Sequence, residues 1–291
     1  MSEETNKPTW VKRKAPRGGP SEQQVRSVLE ELDLNTVCRE ANCPNVGKCW
    51  GNGTATFMIL GDLCTRNCRF CDVRSGEPGG RVDPDEGRRL KEGVKRLNLD
   101  YVVLTSVDRD DLQDGGAGHF ARVVEKIKEL EPRPLIETLT PDFSGKESSL
   151  KKLATAKPDV FGHNLETVRR LTPSARDRRA GYELSLSVLR EFKSLSEDVI
   201  TKSSLMLGLG ESKGEIEGAL GDLREAGVEI VTLGQYLRPS PEELPVERFW
   251  SEEEFRQLQE TAEKMGFKAA VAGPFVRSSY KAKEAFYEAK R

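Results

Sequence analysis

The sequence predicts an α/β chain folded as a partial (β/α)6 barrel of TIM type, and three observations carry that prediction. From about residue 55 onward, short apolar runs alternate with longer amphipathic stretches. The runs have the length of strands and the stretches the length of helices, the pattern of parallel strands joined by helical crossovers. Six such units are too few to close an eight-stranded barrel, so the sheet is expected to stay open, with its chemistry in loops at the C-terminal ends of the strands.

The elements follow in order. Residues 1–20, rich in Pro, Gly and basic side chains, read as an extended arm. Ser21 and Gln24 form a capping box, and Val25, Val28, Leu29 and Leu32 recur at helical spacing. Strands are expected at 56–60, 101–105, 135–138, 159–162, 205–209 and 228–233. Helices are expected at 86–97, 117–130, 146–155, 180–194, 212–226 and 251–265. From Gly266 the chain reads as a short strand at 268–272, a loop and a terminal helix. The expected organisation is an N-terminal extension at 1–52, a barrel at 53–265 and a C-terminal extension at 266–291.

Composition narrows the function. Lys and Arg total 46 against 48 Asp and Glu, so no net charge favours nucleic acid or a membrane surface. Apolar runs such as Val102-Val103-Leu104 are far too short to span a bilayer. The first residues hold no apolar leader and carry Glu3 and Glu4, so a cytoplasmic location is expected.

All six cysteines fall between Cys38 and Cys71. Without a secretory leader, such clustering points to metal rather than to disulfides. Cys64, Cys68 and Cys71 form a C-x3-C-x2-C run in the loop after the first strand. Three thiolates on one tight loop suit three irons of a cubane cluster, leaving the fourth iron open. The competing reading is a zinc knuckle, but a fourth ligand would have to come from the distant His119 or His163, which read as structural hydrogen-bonders. Cys38, Cys43 and Cys49, spaced C-x4-C-x5-C and followed by Trp50, supply a second set of three soft ligands.

The C-x3-C-x2-C run with Phe70 before its last cysteine resembles the signature of the radical S-adenosylmethionine superfamily. The C-x4-C-x5-C triplet ahead of it resembles the lipoyl synthase family. Further ordered segments resemble that family: Lys7-Pro-Thr-Trp-Val, Thr105-Ser-Val-Asp-Arg-Asp-Asp, Asp114-Gly-Gly-Ala, His163-Asn-Leu-Glu-Thr, Thr201-Lys-Ser-Ser-Leu-Met-Leu-Gly-Leu-Gly-Glu, Gly234-Gln-Tyr-Leu-Arg-Pro-Ser and Arg277-Ser-Ser-Tyr.

The resemblance implies two 4Fe-4S clusters, one in each extension-and-barrel setting, and S-adenosyl-L-methionine consumed at two per product. It implies insertion of two sulfur atoms at C6 and C8 of a protein-bound octanoyl-lysine chain, the sulfur drawn from the auxiliary cluster. It further implies that Ser279, with Ser278 the competing choice, holds the fourth iron of that cluster. Read locally, a serine ahead of Tyr280-Lys-Ala-Lys-Glu would be a helix N-cap. Implied partners are octanoylated lipoyl carrier domains (2-oxoacid dehydrogenase E2 or glycine cleavage H protein), a reductant such as flavodoxin or ferredoxin, and an iron–sulfur carrier. Neither nucleic acid nor a membrane is implied.

Within the superfamily pattern, Thr105 and Ser106 would hold the methionine ammonium group. Asn164 and Glu166 follow the fourth strand, and Arg178 or Arg179 would face a carboxylate, unless Arg176–Arg179 is a solvated charge run. Lys202 and Glu211 flank the fifth strand, and Gln235, Tyr236 and Arg238 follow the sixth; these are expected at the barrel mouth. Met206 reads as core packing. Ser204 and Glu243 depart from the family's usual glycine and histidine.

Overall fold

The computed structural model describes Pro8, Trp10 and residues 20–41, 43, 45–51 and 55–291. The rest of the expected arm lies outside the described residues, as does the side chain of Ser21 on which the expected capping box depends. Helix α1 (Pro20–Glu31) buries Val25, Val28 and Leu29, the stripe its periodicity predicts. Next come β1 (Asn35–Thr36) and the short helices α2 (Val37–Glu40), bearing Cys38, and α3 (Val46–Gly51), bearing Cys49, with Cys43 between them. Neither β1 nor these helices is legible in the sequence. Each is too short for a periodicity and is held by packing.

The barrel then alternates: β2 (Thr56–Ile59), α4 (Glu86–Arg96), β3 (Tyr101–Ser106), α5 (Ala117–Lys128), β4 (Leu135–Leu139), a 3-10 turn (Phe143–Gly145), α6 (Glu147–Ala156), β5 (Val160–Gly162), α7 (Thr172–Ala175), α8 (Tyr182–Leu195), β6 (Ile200–Leu207), α9 (Lys213–Glu225), β7 (Ile230–Gln235), α10 (Glu252–Lys264), β8 (Ala269–Gly273) and α11 (Ala282–Ala289). Capping boxes at Ser212 with Glu215 and at Ser251 with Glu254 start α9 and α10.

Strands β2 to β8 pair parallel in sequence order, and β1 adds antiparallel to β2. With β1 and β8 as its two edges, the sheet is an open, partial barrel. The short strand at the C-terminus is a full member of it: β8 pairs with β7 in register from Ile230↔Ala269 to Gly234↔Gly273.

Strand β6 begins five residues before the expected start at 205. Its first half, Ile200-Thr-Lys-Ser-Ser, is too polar to read as a buried strand, yet Thr201, Lys202 and Ser203 are buried. Lys202 is tolerated there because its ammonium meets the Glu137 carboxylate at 2.7 Å, and Tyr101 donates to the same carboxylate at 2.6 Å.

Helix α11 packs Ala285, Phe286 and Ala289 on the first residues of several strands, Val160, Ile200, Ile230 and Ala269. Phe286 also meets the Tyr101 ring edge-on at 6.1 Å. The lower end of the barrel is thereby covered, and the loop between β8 and α11 is left at the upper end.

Candidate active site

A cavity of about 330 Å³ opens at the C-terminal ends of the strands. Cys64, Cys68 and Cys71 line it from the loop after β2, Cys38 and Cys43 from the segment before β2, and Arg277, Ser278 and Ser279 from the loop after β8. All six cysteines are unbridged.

The loop of the second triplet is held from both sides. Arg66, between Cys64 and Cys68, is buried and forks onto two carboxylates. It reaches Asp110 at 2.9 Å twice and Asp142 at 2.6 and 2.7 Å, with Asp108 at 3.3 Å. Across the loop, the Arg69 amide donates to the Ala175 carbonyl (2.9 Å), and the Asn67 amide donates to the Asp177 carboxylate (3.0 Å). Two backbone amides aim at sulfur: Arg66 toward Cys64 at 3.4 Å and Asp177 toward Cys68 at 3.3 Å. Donors in those positions favour an anionic, metal-bound thiolate.

Without metal, burial raises these thiols. Cys68 is pushed up to about 11 and Cys71 to about 12, and Cys64 also lies above its usual range. Burial likewise lifts Cys38 to about 11. Each thiol must lose its proton to bind iron, so cluster assembly is opposed by acid.

The first triplet is tied to the C-terminal loop. The Cys43 amide donates to the Cys38 carbonyl (3.2 Å) and the Cys49 amide to the Asn45 carbonyl (2.8 Å). Asn45 in turn donates from its side chain to the Phe275 carbonyl at 2.6 Å. Trp10 packs edge-on against Phe275 and Phe249. A Cβ added at Gly234 would lie 2.0 Å from the Val276 carbonyl oxygen, so this loop sits down on β7 only because residue 234 is glycine. Neither serine caps α11. The N-cap is Lys281, in the left-handed region at φ 52°, so the local reading of Ser278 or Ser279 as a cap is corrected.

Among the described residues no three Cys, His, Asp or Glu side chains converge tightly enough to hold one metal ion. Three soft thiols on one loop bordering a shared cavity suit the irons of a cubane cluster.

Of the other sequence candidates, Phe70, Thr105, Ser106, Asn164, Glu166, Gln235 and Tyr236 line the cavity. Glu166 adopts φ 71°, a conformation a non-glycine residue holds only under constraint. Here the Glu166 amide donates to the Ser204 carbonyl (3.0 Å) and its own carbonyl accepts from Met206 (2.8 Å). Burial raises its carboxyl, opposed by Arg176 and by the Asn164 amide at 3.1 Å. Gln235 also braces the wall, accepting from the Trp250 amide and donating to the Arg248 carbonyl, both at 2.9 Å. Glu211 does the same, accepting from the amides of Gly208 and Leu209.

Three expected placements are corrected. Lys202 lies inside the barrel in its ion pair with Glu137, not at the mouth. Arg238 turns onto its own loop, donating to the carbonyls of Glu243 and Pro241. Arg178 is exposed and does not line the cavity. The arginine that does is Arg176. It is buried, donates to the Ser185 hydroxyl at 2.7 Å, and leaves its Nε without a hydrogen-bond partner. Nothing local distinguishes it within Arg176–Arg179, because its burial is created by α8 folding against the loop. His163 is neutral, its titration pushed down to about 4 by burial, and it is wedged between the Thr140 carbonyl and Ser185 at 2.9 Å each. Ser204 is buried in β6 and donates to the Thr232 carbonyl at 3.2 Å.

Residues 58–223, more than half of the chain, match the Radical SAM superfamily. The chain is 55% identical over 284 residues to the lipoyl synthase of Thermus thermophilus, covering 98% of this chain and 88% of that one. It is 56% identical over 281 residues to the lipoyl synthase of Pyrobaculum arsenaticum, covering 96% and 94%. The chain belongs to the lipoyl synthase family. Its fold is similar to that of the FeFe-hydrogenase maturase HydG from Carboxydothermus hydrogenoformans, with a TM-score of 0.59 at 12% identity over 92% of this chain and 60% of that one. As a lipoyl synthase family member it is a sulfur-inserting radical S-adenosylmethionine enzyme that uses a 4Fe-4S cluster and S-adenosylmethionine on an octanoylated carrier. No helix among the described residues is long and apolar enough to cross a membrane.

Proposed function

We propose that this chain inserts sulfur at C6 and C8 of an octanoyl-lysine on a lipoyl carrier domain, and that a second 4Fe-4S cluster, held by Cys38, Cys43, Cys49 and Ser279, supplies that sulfur. The observation that carries the reading is that thiols of both triplets and the serine pair border one cavity. Segment 1–52 then serves the auxiliary cluster, 53–265 the radical chemistry and 266–291 the serine ligand.

The carbons to be sulfurated carry no acidic proton, so general acid–base groups alone cannot activate them. When bound, the cluster of Cys64, Cys68 and Cys71 supplies the electron that cleaves S-adenosylmethionine to a carbon radical able to take hydrogen from such positions. The protein's own residues do the placing. Arg176, with its unpartnered Nε, is suited to the methionine carboxylate, Thr105 and Ser106 to its ammonium group, and Asn164 and Glu166 to the ribose hydroxyls. Leu139, Met58 and Met206 give the cavity apolar surface for an alkyl chain and help exclude water. Two sulfurated carbons call for two S-adenosylmethionine molecules. If all six thiols hold iron, none remains to carry a persulfide. A serine oxygen is a harder ligand than a thiolate, which suits a site that must release its iron. A consumed cluster requires rebuilding by an iron–sulfur carrier, and each turnover requires a one-electron donor of the flavodoxin or ferredoxin class. The carrier is an E2 lipoyl domain or a glycine cleavage H protein.

The test is anaerobic turnover with an octanoyl-lysine peptide, scoring deoxyadenosine and sulfurated product together. Wild type should form both, with roughly eight irons per chain for two cubane clusters. Cys43→Ala should still form deoxyadenosine but no sulfurated peptide. Normal product from Cys43→Ala would refute the sulfur source.

A further inference from the structure

The run Asp108-Arg-Asp-Asp after β3 has no part in the reading above, yet it grips the cysteine loop in its middle and at both ends. In the middle, the Asp108 carbonyl accepts from the Thr65 amide at 3.0 Å, and the Asp110 carboxylate accepts from Thr65 and Arg66. The ends are held by Arg109, whose side chain is 1% exposed. Its Nη1 donates to the Leu60 carbonyl at 3.0 Å, just before the loop, and its Nη2 to the Arg81 carbonyl at 2.8 Å, just after it. Asp111 accepts from Nε and Nη2 at 2.8 Å each, and also from the Gly80 amide at 2.8 Å. One guanidinium therefore joins the two ends of the loop that carries Cys64, Cys68 and Cys71.

The first of those ends is strained. Leu60 sits at φ 69°, a left-handed conformation that a non-glycine residue keeps only where its surroundings impose it. Its amide donates to the Glu86 carboxylate at 2.9 Å. Its side chain lies over Gly116, where an added Cβ would come 2.3 Å from Leu60 Cδ1. Amide, carbonyl and side chain are thus fixed from three directions, and Arg109 couples that fixed point to the far end of the loop. A loop whose ends are already joined has less entropy to lose when it closes around a ligand.

We propose that Arg109 is a positioning residue for the radical chemistry, stapling Leu60 to Arg81 so that the loop between them keeps its three thiols arranged around a cluster. The inference rests on the reading that Cys64, Cys68 and Cys71 hold that cluster. Arg109 acts through the loop and touches no reacting atom. A lysine in its place keeps the charge but lacks the planar fork that spans both carbonyls and Asp111.

The experiment is chelator-driven iron loss from the anaerobic holoenzyme, wild type against Arg109→Lys, followed by electron paramagnetic resonance of the reduced protein. The signal that shifts on adding S-adenosylmethionine marks the cluster with the open iron. In Arg109→Lys that signal should decay roughly tenfold faster, the worth of one charge-assisted hydrogen bond. The auxiliary signal should decay as in wild type. An unchanged decay would overturn the proposal, and so would an equal acceleration of both signals, which marks a general loosening of the fold. Should Arg109→Lys fail to fold, Asp111→Asn provides the second measurement: faster decay of the same signal alone supports the staple, and a wild-type decay refutes it. A Cys68→Ala protein that keeps the S-adenosylmethionine-sensitive signal would instead sink the reading that this loop holds the cluster.

Discussion

Arg176 and Arg178 are two residues apart and have opposite environments. Arg178 is exposed, whereas Arg176 lies under α8 with one nitrogen on Ser185 and another unpaired at the cavity. Replacing Arg176 by Lys keeps the charge but loses the planar fork. The expected outcome is a KM for S-adenosylmethionine raised roughly tenfold to a hundredfold, the loss of one charge-assisted hydrogen bond. Arg178→Lys should leave it unchanged; steady-state kinetics of deoxyadenosine release checks both. Ser279→Ala should preserve deoxyadenosine formation and depress sulfurated product, whereas Ser278→Ala should leave both at the wild-type level, which decides between the adjacent serines. His163 predicts a pH effect. Its folded-state titration, near 4, lies below the ordinary 6.5, so its contribution to stability is present above about 6.5 and is lost as pH falls toward 4. That loss amounts to roughly 3 kcal/mol, and denaturant melts of wild type and His163→Gln between pH 7 and 4 should converge by about that much.

At the scale of elements, the site is an assembly of loops held by few contacts. The α2–α3 segment and the β8–α11 loop meet through Asn45 and the Phe275 carbonyl, 230 residues apart. Asn45→Ala removes the donor and leaves a half-buried carbonyl without it. Iron analysis and Mössbauer spectroscopy should then show loss from the auxiliary site first, with the other cluster intact. Helix α11 sets the height of the same loop from below. Phe286→Ala should cost about 3–5 kcal/mol of stability through the cavity it leaves, measurable by denaturant unfolding. The long helices and most strands were legible from periodicity. The start of β6 was not, because Lys202 is buried only by virtue of Glu137 on another strand.

For the whole molecule, metal and folding are linked. Thiols pushed to about 11 and 12 stay protonated at neutral pH unless iron displaces the proton. Chelation should therefore lower the thermal midpoint, and the loss should be steeper in acid; differential scanning calorimetry of loaded and stripped protein from pH 8 to 6 measures it. If both proposed clusters are lost, amide exchange should rise most in the segments bearing the two cysteine triplets and in residues 274–281.

Six clustered cysteines, their two spacings and the alternation of strands and helices were readable from the sequence alone. The second cysteine triplet lies on a single short loop, and an amphipathic period is written in neighbouring residues. The sequence by itself thus determined the fold class, the two triplets and the family they resemble. Only the tertiary structure decided that Arg176 faces the cavity, that Lys202 does not, and that the serine loop seats on Gly234. Each of these depends on a partner brought close by folding of the sheet, and a contact of that kind leaves no local pattern in the chain.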